Sequence, residues 1–254
     1  MERLVDVGIL IGRILHWRTI RQEIRPLATM VADSLWQKQK PKSNGSPPAK
    51  RTTIFMPGFI GHESNYQNLN NFLDERRIQV LTPIGFGLNL LSWKRAQELI
   101  SKAIKQAEDK TGTVPAVIGH SKGGTEMLGI IPRHPEIEEV ILIAAPLRGP
   151  SFEVLSLFVD TVYGKGQRPF DEDMLTDRSI LSKITTIVSD ADHIVPPEEA
   201  KLPGVKRQIF FQGHRRKQTQ KRMPDFIHWD SHTGLPYRAA GTIFFLLVQE
   251  QKAA

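Results

Sequence analysis

Gly119-His120-Ser121-Lys122-Gly123 is the stretch whose reading decides the fold. An apolar run, Val114 to Ile118, leads into it, and a helix-like run, Gly124 to Ile131, leads out. Strand, sharp turn and helix with a serine at the apex is the nucleophile-elbow pattern. Such a turn holds the serine in strained backbone geometry and lifts its hydroxyl off the sheet, where a histidine can reach it. Gly119 and Gly123 stand where a larger side chain would crowd the neighbouring strand or helix. Five residues of this kind are common by chance; the flanking runs make the pattern strong.

The remaining parts of the constellation follow in order. Thr53-Ile54-Phe55-Met56 reads as a short buried strand running into Pro57-Gly58-Phe59-Ile60-Gly61. A loop there offers the Phe59 backbone N–H to a developing oxyanion, and the Lys122 N–H supplies a second donor. Ile184 to Val188 is another buried strand, ending in Ser189-Asp190-Ala191-Asp192-His193-Ile194-Val195-Pro196. Asp192 is the candidate orienting acid, with Asp190 the nearest alternative. Ser231-His232-Thr233-Gly234-Leu235 comes late in the chain. His232 is the candidate base, with His228 its competitor. The order Ser, Asp, His differs from the chymotrypsin and subtilisin orders.

On Gly119–Gly123, Ala144-Ala145-Pro146-Leu147-Arg148-Gly149, Asp192–Pro196 and His232–Leu235, the chain resembles the α/β-hydrolase superfamily, and within it lipase- and esterase-like members. The resemblance runs from about residue 52 to the C-terminus. Many relatives carry His-Gly where this chain has Pro57-Gly58, and Met where it has Lys122. Both proposed oxyanion donors are backbone groups, so neither departure removes a catalytic atom.

Strands are expected near 52–56, 78–82, 114–118, 139–145, 184–188 and 206–211, and helices near 64–75, 92–110, 122–131 and 236–250. This alternation predicts an α/β fold, a mostly parallel sheet with helices on both faces and the site in loops at the strands' carboxyl ends. Trp93, Ala96, Leu99, Ile100, Ala103, Ile104 and Ala107 form one apolar stripe that reads as core. Residues 147–178 interrupt the alternation. Phe152, Leu155, Phe158 and Val159 belong to a stretch there that is apolar on nearly every side. It reads as a lid or acyl-chain wall, or as an ordinary cap helix.

The hydrolase domain is expected over 52–254. Before it, residues 1–36 show helical apolar periodicity and residues 37–51 form a basic linker rich in Pro, Ser, Asn and Gly. The first segment is either a helical extension packed on the body or an amphipathic element at a membrane surface. The run Val7–Leu15 contains Arg13 and lacks a signal-peptide layout, which gives an intracellular, cytoplasmic expectation, with peripheral membrane contact open.

The 254 residues suffice for one α/β domain and an extension. No run of about eighteen apolar residues exists, so no transmembrane span is expected. With no cysteine, disulfides and thiolate metal sites are excluded. No metal-ligand spacing occurs, and neither metal nor cofactor is expected. A net charge of +7 favours acidic surfaces such as anionic lipid headgroups. The densest basic run, His214 to Lys217 with Lys221 and Arg222, is a solvated loop or a headgroup contact. Nucleic acid is disfavoured because no aromatic interleaving or binding module accompanies that run. No protein partner is implied.

His120 reads as packing under the elbow, His193 as solvated beside the acid, and His134 as part of a surface turn. The Lys122 side chain either tunes an anionic substrate or points away from the serine. The expected function is hydrolysis of a small-molecule or lipid ester, with the 152–163 segment and the lipase resemblance favouring a fatty-acyl group. An acyl thioesterase, or a non-catalytic lipid- or protein-binding module on the same fold, are the alternatives.

Overall fold

The computed structural model describes residues 51–59, 61–148, 170–192, 194–212 and 235–249. The proposed N-terminal helices, nearly all of the linker, the apolar 152–163 stretch, the basic 214–222 run and His193, His228 and His232 lie outside those residues.

Among the described residues, six strands form one sheet: β1 (Arg51–Met56), β2 (Ile78–Leu81), β3 (Ala116–His120), β4 (Val140–Ile143), β5 (Ile184–Ser189) and β6 (Arg207–Phe211). Their spatial order is β2-β1-β3-β4-β5-β6, and every neighbouring pair is parallel. Parallel neighbours need crossovers, and helices supply them. The principal ones are α1 (Gln67–Asp74), α2 (Trp93–Thr111) and α3 (Lys122–Ile130). Short helices α4 (Arg178–Leu181), α5 (Pro197–Ala200) and α6 (Leu235–Arg238) precede the closing α7 (Ala240–Gln249).

Period-two alternation divides the core between the two faces of the sheet. Ile54, Met56, Val117, Val140 and Leu142 point to the face covered by α2 and α3. Phe55, Ile118, Ile141, Ile143 and Ile187 point to the face covered by α1, α6 and α7. Because both faces are covered, β3, β4 and β5 are buried along their whole length. Each Leu or Ile so buried contributes about 1.5–3 kcal/mol. The α2 stripe is core as expected: Ala96, Leu99, Ile100, Ala103, Ile104 and Ala107 are buried, and Trp93 packs at its edge. That helix ends where Gly112, at φ 68°, enters the left-handed region and its N–H bonds the Glu108 carbonyl.

The structure moves several sequence-derived boundaries. Strand β3 runs over 116–120, two residues later than expected, because Pro115 has no N–H to give the ladder. Strand β4 stops at Ile143, since Ala144 turns to φ 46°. The expected helix 64–75 opens as a 3-10 turn, Glu63–Tyr66, before α1. The expected C-terminal helix is interrupted at Ala239, yet Leu235, Ala239, Ile243 and Leu246 keep one buried face. Within the 147–178 interruption, a 3-10 turn (Glu172–Leu175) leads to α4, and Phe170, Met174, Ile180 and Leu181 pack into the α2–α3 core. No described helix is long and apolar enough to cross a membrane.

Candidate active site

Ser121 sits at the carboxyl end of β3, at the sheet's centre, immediately before α3. Its backbone lies at φ 53°, ψ −126°, a region L-residues rarely occupy. Such a conformation costs on the order of 1–3 kcal/mol and persists only where the surroundings over-determine it. Here they do. The Ser121 N–H donates to the Ile143 carbonyl at 2.8 Å, and the Gly124 N–H donates to the Ser121 carbonyl at 2.9 Å.

The glycines are required by close approach. A Cβ on Gly119 would lie 2.5 Å from the Gly123 carbonyl oxygen and 2.5 Å from Gly124 Cα. One on Gly123 would collide with the Met56 and Pro57 carbonyl oxygens, and one on Gly124 would lie 2.5 Å from Ala145 Cβ. Strand β1, the elbow and β4 are therefore packed backbone to backbone around the serine.

The loop after β1 folds onto this elbow. A Cβ on Gly58 would meet Ser121 Cβ at 3.0 Å and His120 Nδ1 at 3.1 Å. The Gly58 N–H donates to the Tyr66 hydroxyl at 3.1 Å, and the Gly61 N–H donates to the Gly58 carbonyl at 2.9 Å. Phe59 thus follows a residue that touches the serine, and Lys122 supplies the first backbone N–H of α3. His120 is buried beneath the elbow and shares a 2.9 Å hydrogen bond between its Nδ1 and the Tyr66 hydroxyl. This matches its expected packing role.

Asp192 lies three residues beyond β5, also at the carboxyl end of the sheet, and is 3% exposed. One carboxylate oxygen, Oδ1, accepts the Ile194 and Val195 N–H groups, each at 2.9 Å. Asp190 is exposed, and its N–H donates to the Phe211 carbonyl at 3.3 Å. Burial and the fixed carboxylate distinguish Asp192 from Asp190. His134 closes a turn far from the elbow, with Nδ1 2.9 Å from Glu136 and Nε2 2.8 Å from Ser101.

The Lys122 side chain is buried among protein groups. Its ammonium bonds Asn89 Oδ1 at 2.6 Å and the Leu91 carbonyl at 3.2 Å, and pairs closely with the Glu126 carboxylate. Burial pushes the Lys122 ammonium below its ordinary pKa and the Glu126 carboxyl above its own, with their mutual attraction opposing both shifts. Sequence reading missed Tyr66, Asn89 and Glu126. Of these, Glu126 carried a signal, an acid four residues after Lys122 on an otherwise apolar helix.

No family model and no curated protein matches this sequence. Among solved structures, the chain is similar to one from the metagenome-derived lipolytic enzymes LipS and LipT, with TM-score 0.56 and 15% identity over 82% of this chain and 96% of that one. It is similar to Est1E from Butyrivibrio proteoclasticus with ferulic acid bound, with TM-score 0.52 and 16% identity over 85% and 94% of the two chains. It is also similar to the thioesterase domain from the curacin biosynthetic pathway, with TM-score 0.55 and 13% identity over 80% and 92%. At such identities the likeness is one of fold.

Proposed function

We propose that this chain, which has the α/β-hydrolase fold, is a serine ester hydrolase with Ser121 as nucleophile, His232 as base and Asp192 as orienting acid. The observation that carries the reading is the backbone of Ser121, held at φ 53° on a strand–turn–helix elbow with Gly58 against it. Strain of this kind, kept within a turn where Gly119, Gly123 and Gly124 allow close packing, is a feature that a merely structural serine does not need.

In this mechanism His232 takes the Ser121 proton as Oγ attacks an acyl carbonyl. The Phe59 and Lys122 N–H groups stabilise the oxyanion, each worth about 2.7–4 kcal/mol in such sites. Asp192 holds the imidazole tautomer and stabilises the imidazolium. Its Oδ1 already accepts two backbone N–H groups, which fixes the carboxylate before any substrate arrives. His232 then protonates the leaving alcohol, and water activated by the same imidazole releases the acid.

The substrate class proposed is a fatty-acyl or other lipid ester. Its support is the apolar sequence of 152–163, proposed as the acyl wall or lid, and the lipolytic enzymes among the proteins of similar fold. The net charge of +7 supports peripheral contact with an anionic lipid surface. The test is hydrolysis of p-nitrophenyl esters from acetate to palmitate, and of the matching thioesters, by parent and Ser121→Ala protein. Ester turnover lost in the variant supports the proposal. Turnover that survives the substitution, or turnover of thioesters alone, contradicts it.

A further inference from the structure

Asn89, Lys122 and Glu126 form a closed polar ring inside the protein. All three are buried. Lys122 Nζ donates to Asn89 Oδ1 at 2.6 Å and to Glu126 Oε1, while Asn89 Nδ2 donates to Glu126 Oε2 at 3.0 Å. The ring fixes which end of the Asn89 amide is which. Turned over, its NH2 would face the ammonium and its oxygen would face a carboxylate, so the observed orientation is the one the charges allow. Asn89 itself is held at φ 49°, a left-handed conformation that asparagine tolerates better than most residues.

The ring is tied to the chain around it: Lys122 Nζ also donates to the Leu91 carbonyl at 3.2 Å, and Asn89 reaches the loop after β1. The Asn89 amide N–H donates to the Pro57 carbonyl at 2.6 Å. That carbonyl belongs to the same peptide unit as the Gly58 N–H, which donates to Tyr66 at 3.1 Å. Both ends of the Pro57–Gly58 peptide plane are thus tied by buried side chains. The next peptide carries the Phe59 N–H, and its carbonyl is tied to Gly61. The planar Pro57–Gly58 unit therefore enters Gly58 in a fixed direction, and the 2.9 Å bond from Gly61 to the Gly58 carbonyl holds the unit that follows.

We infer that Asn89 is a positioning residue for the oxyanion loop, and that Lys122 and Glu126 serve the site by orienting its amide rather than by meeting substrate. The inference rests on the serine-hydrolase reading. It gives the lysine after the nucleophile a role directed inward, toward Pro57.

The experiment is covalent labelling of the full chain by an alkyl fluorophosphonate, a probe whose phosphoryl oxygen must enter the oxyanion site as Ser121 Oγ displaces fluoride. Asn89→Ala is expected to lower the limiting labelling rate about 10- to 100-fold, the scale of a misplacement near 1 Å. The half-saturating probe concentration should move less than about twofold, and labelling should still reach one group per chain. Should the alanine variant not fold, Asn89→Asp keeps the volume and the lysine contact but puts a carboxylate oxygen where the donor was, and the same rate loss is expected. A limiting rate equal to the parent's, or a loss confined to the fraction of chains that label, overturns the positioning role alone. A parent that does not label at Ser121 overturns the hydrolase reading and this inference with it.

Discussion

Gly58 stands against Ser121 with no room for a methyl group between them: a Cβ on Gly58 would lie 3.0 Å from Ser121 Cβ. The same methyl would lie 3.1 Å from His120 Nδ1, so it would press on Ser121 and on the histidine beneath it together. Gly58→Ala is therefore expected to disturb the loop and the serine together. Overpacking of this kind costs about 1–3 kcal/mol of stability. The ester-hydrolysis kcat should fall at least about tenfold, since small misplacements at a reacting centre are amplified. Urea unfolding and steady-state kinetics on one p-nitrophenyl ester check both numbers.

Tyr66 holds the loop from the other side. Tyr66→Phe leaves the buried Gly58 N–H without the acceptor it has at 3.1 Å and removes the His120 partner at 2.9 Å. The expected loss is about 1–3 kcal/mol in urea unfolding, the penalty for leaving a buried donor unmet. A variant as stable as the parent would show that the hydroxyl is replaceable there.

Substitution at Asp192, the proposed orienting acid, should separate stability from catalysis. Asn at this position retains an oxygen for the Ile194 and Val195 N–H groups, now bonded at 2.9 Å each, but lacks the negative charge. Asp192→Asn is expected to keep its unfolding free energy within about 1 kcal/mol. Its kcat should fall by about 10⁴, as an orienting acid's loss does in serine triads. Asp192→Ala should lose stability as well, by about 1–3 kcal/mol. An asparagine variant with parental kcat would exclude Asp192 as the acid.

The buried Lys122–Glu126 pair predicts a pH dependence. Glu126 binds its proton more readily folded than unfolded, so its contribution to stability falls as pH rises from 4.5 through its raised folded value. Lys122 binds its proton less readily folded, so its contribution rises as pH climbs from its lowered folded value toward 10.5. Both directions act against the parent at intermediate pH, where the burial of the pair weighs most. A Lys122→Met/Glu126→Leu double variant removes both slopes. Relative to the parent it should be most stable at intermediate pH and lose ground toward both extremes, as denaturant unfolding from pH 4 to 10 would show. A difference that does not vary with pH would contradict the assignment.

What the sequence disclosed follows from how local each feature is. The elbow was legible because Gly119, Ser121 and Gly123 and their flanking runs are contiguous, and β5 and Asp192 were legible as an apolar run ending in a carboxylate. The start of β3 was misjudged because Val114 is apolar, while Pro115, which cannot bond in the ladder, decides the boundary. Asn89 was invisible: it lies in a loop, and its bond to Pro57 spans 32 positions. Only the fold brings β1, α3 and the β2–α2 loop together. Phe152, Leu155, Phe158, Val159 and His232 lie outside the described residues, so their roles rest on sequence pattern and belong to the proposal.

Trapping an acyl group on the protein tests the proposed serine mechanism most directly. The protein is mixed with p-nitrophenyl butyrate, quenched in acid within the first turnovers, and digested for peptide mass analysis. A butyryl group is expected on Ser121, and none on that peptide from the Ser121→Ala variant. Continued hydrolysis by the variant, with no acyl group on Ser121 in the parent, would contradict it.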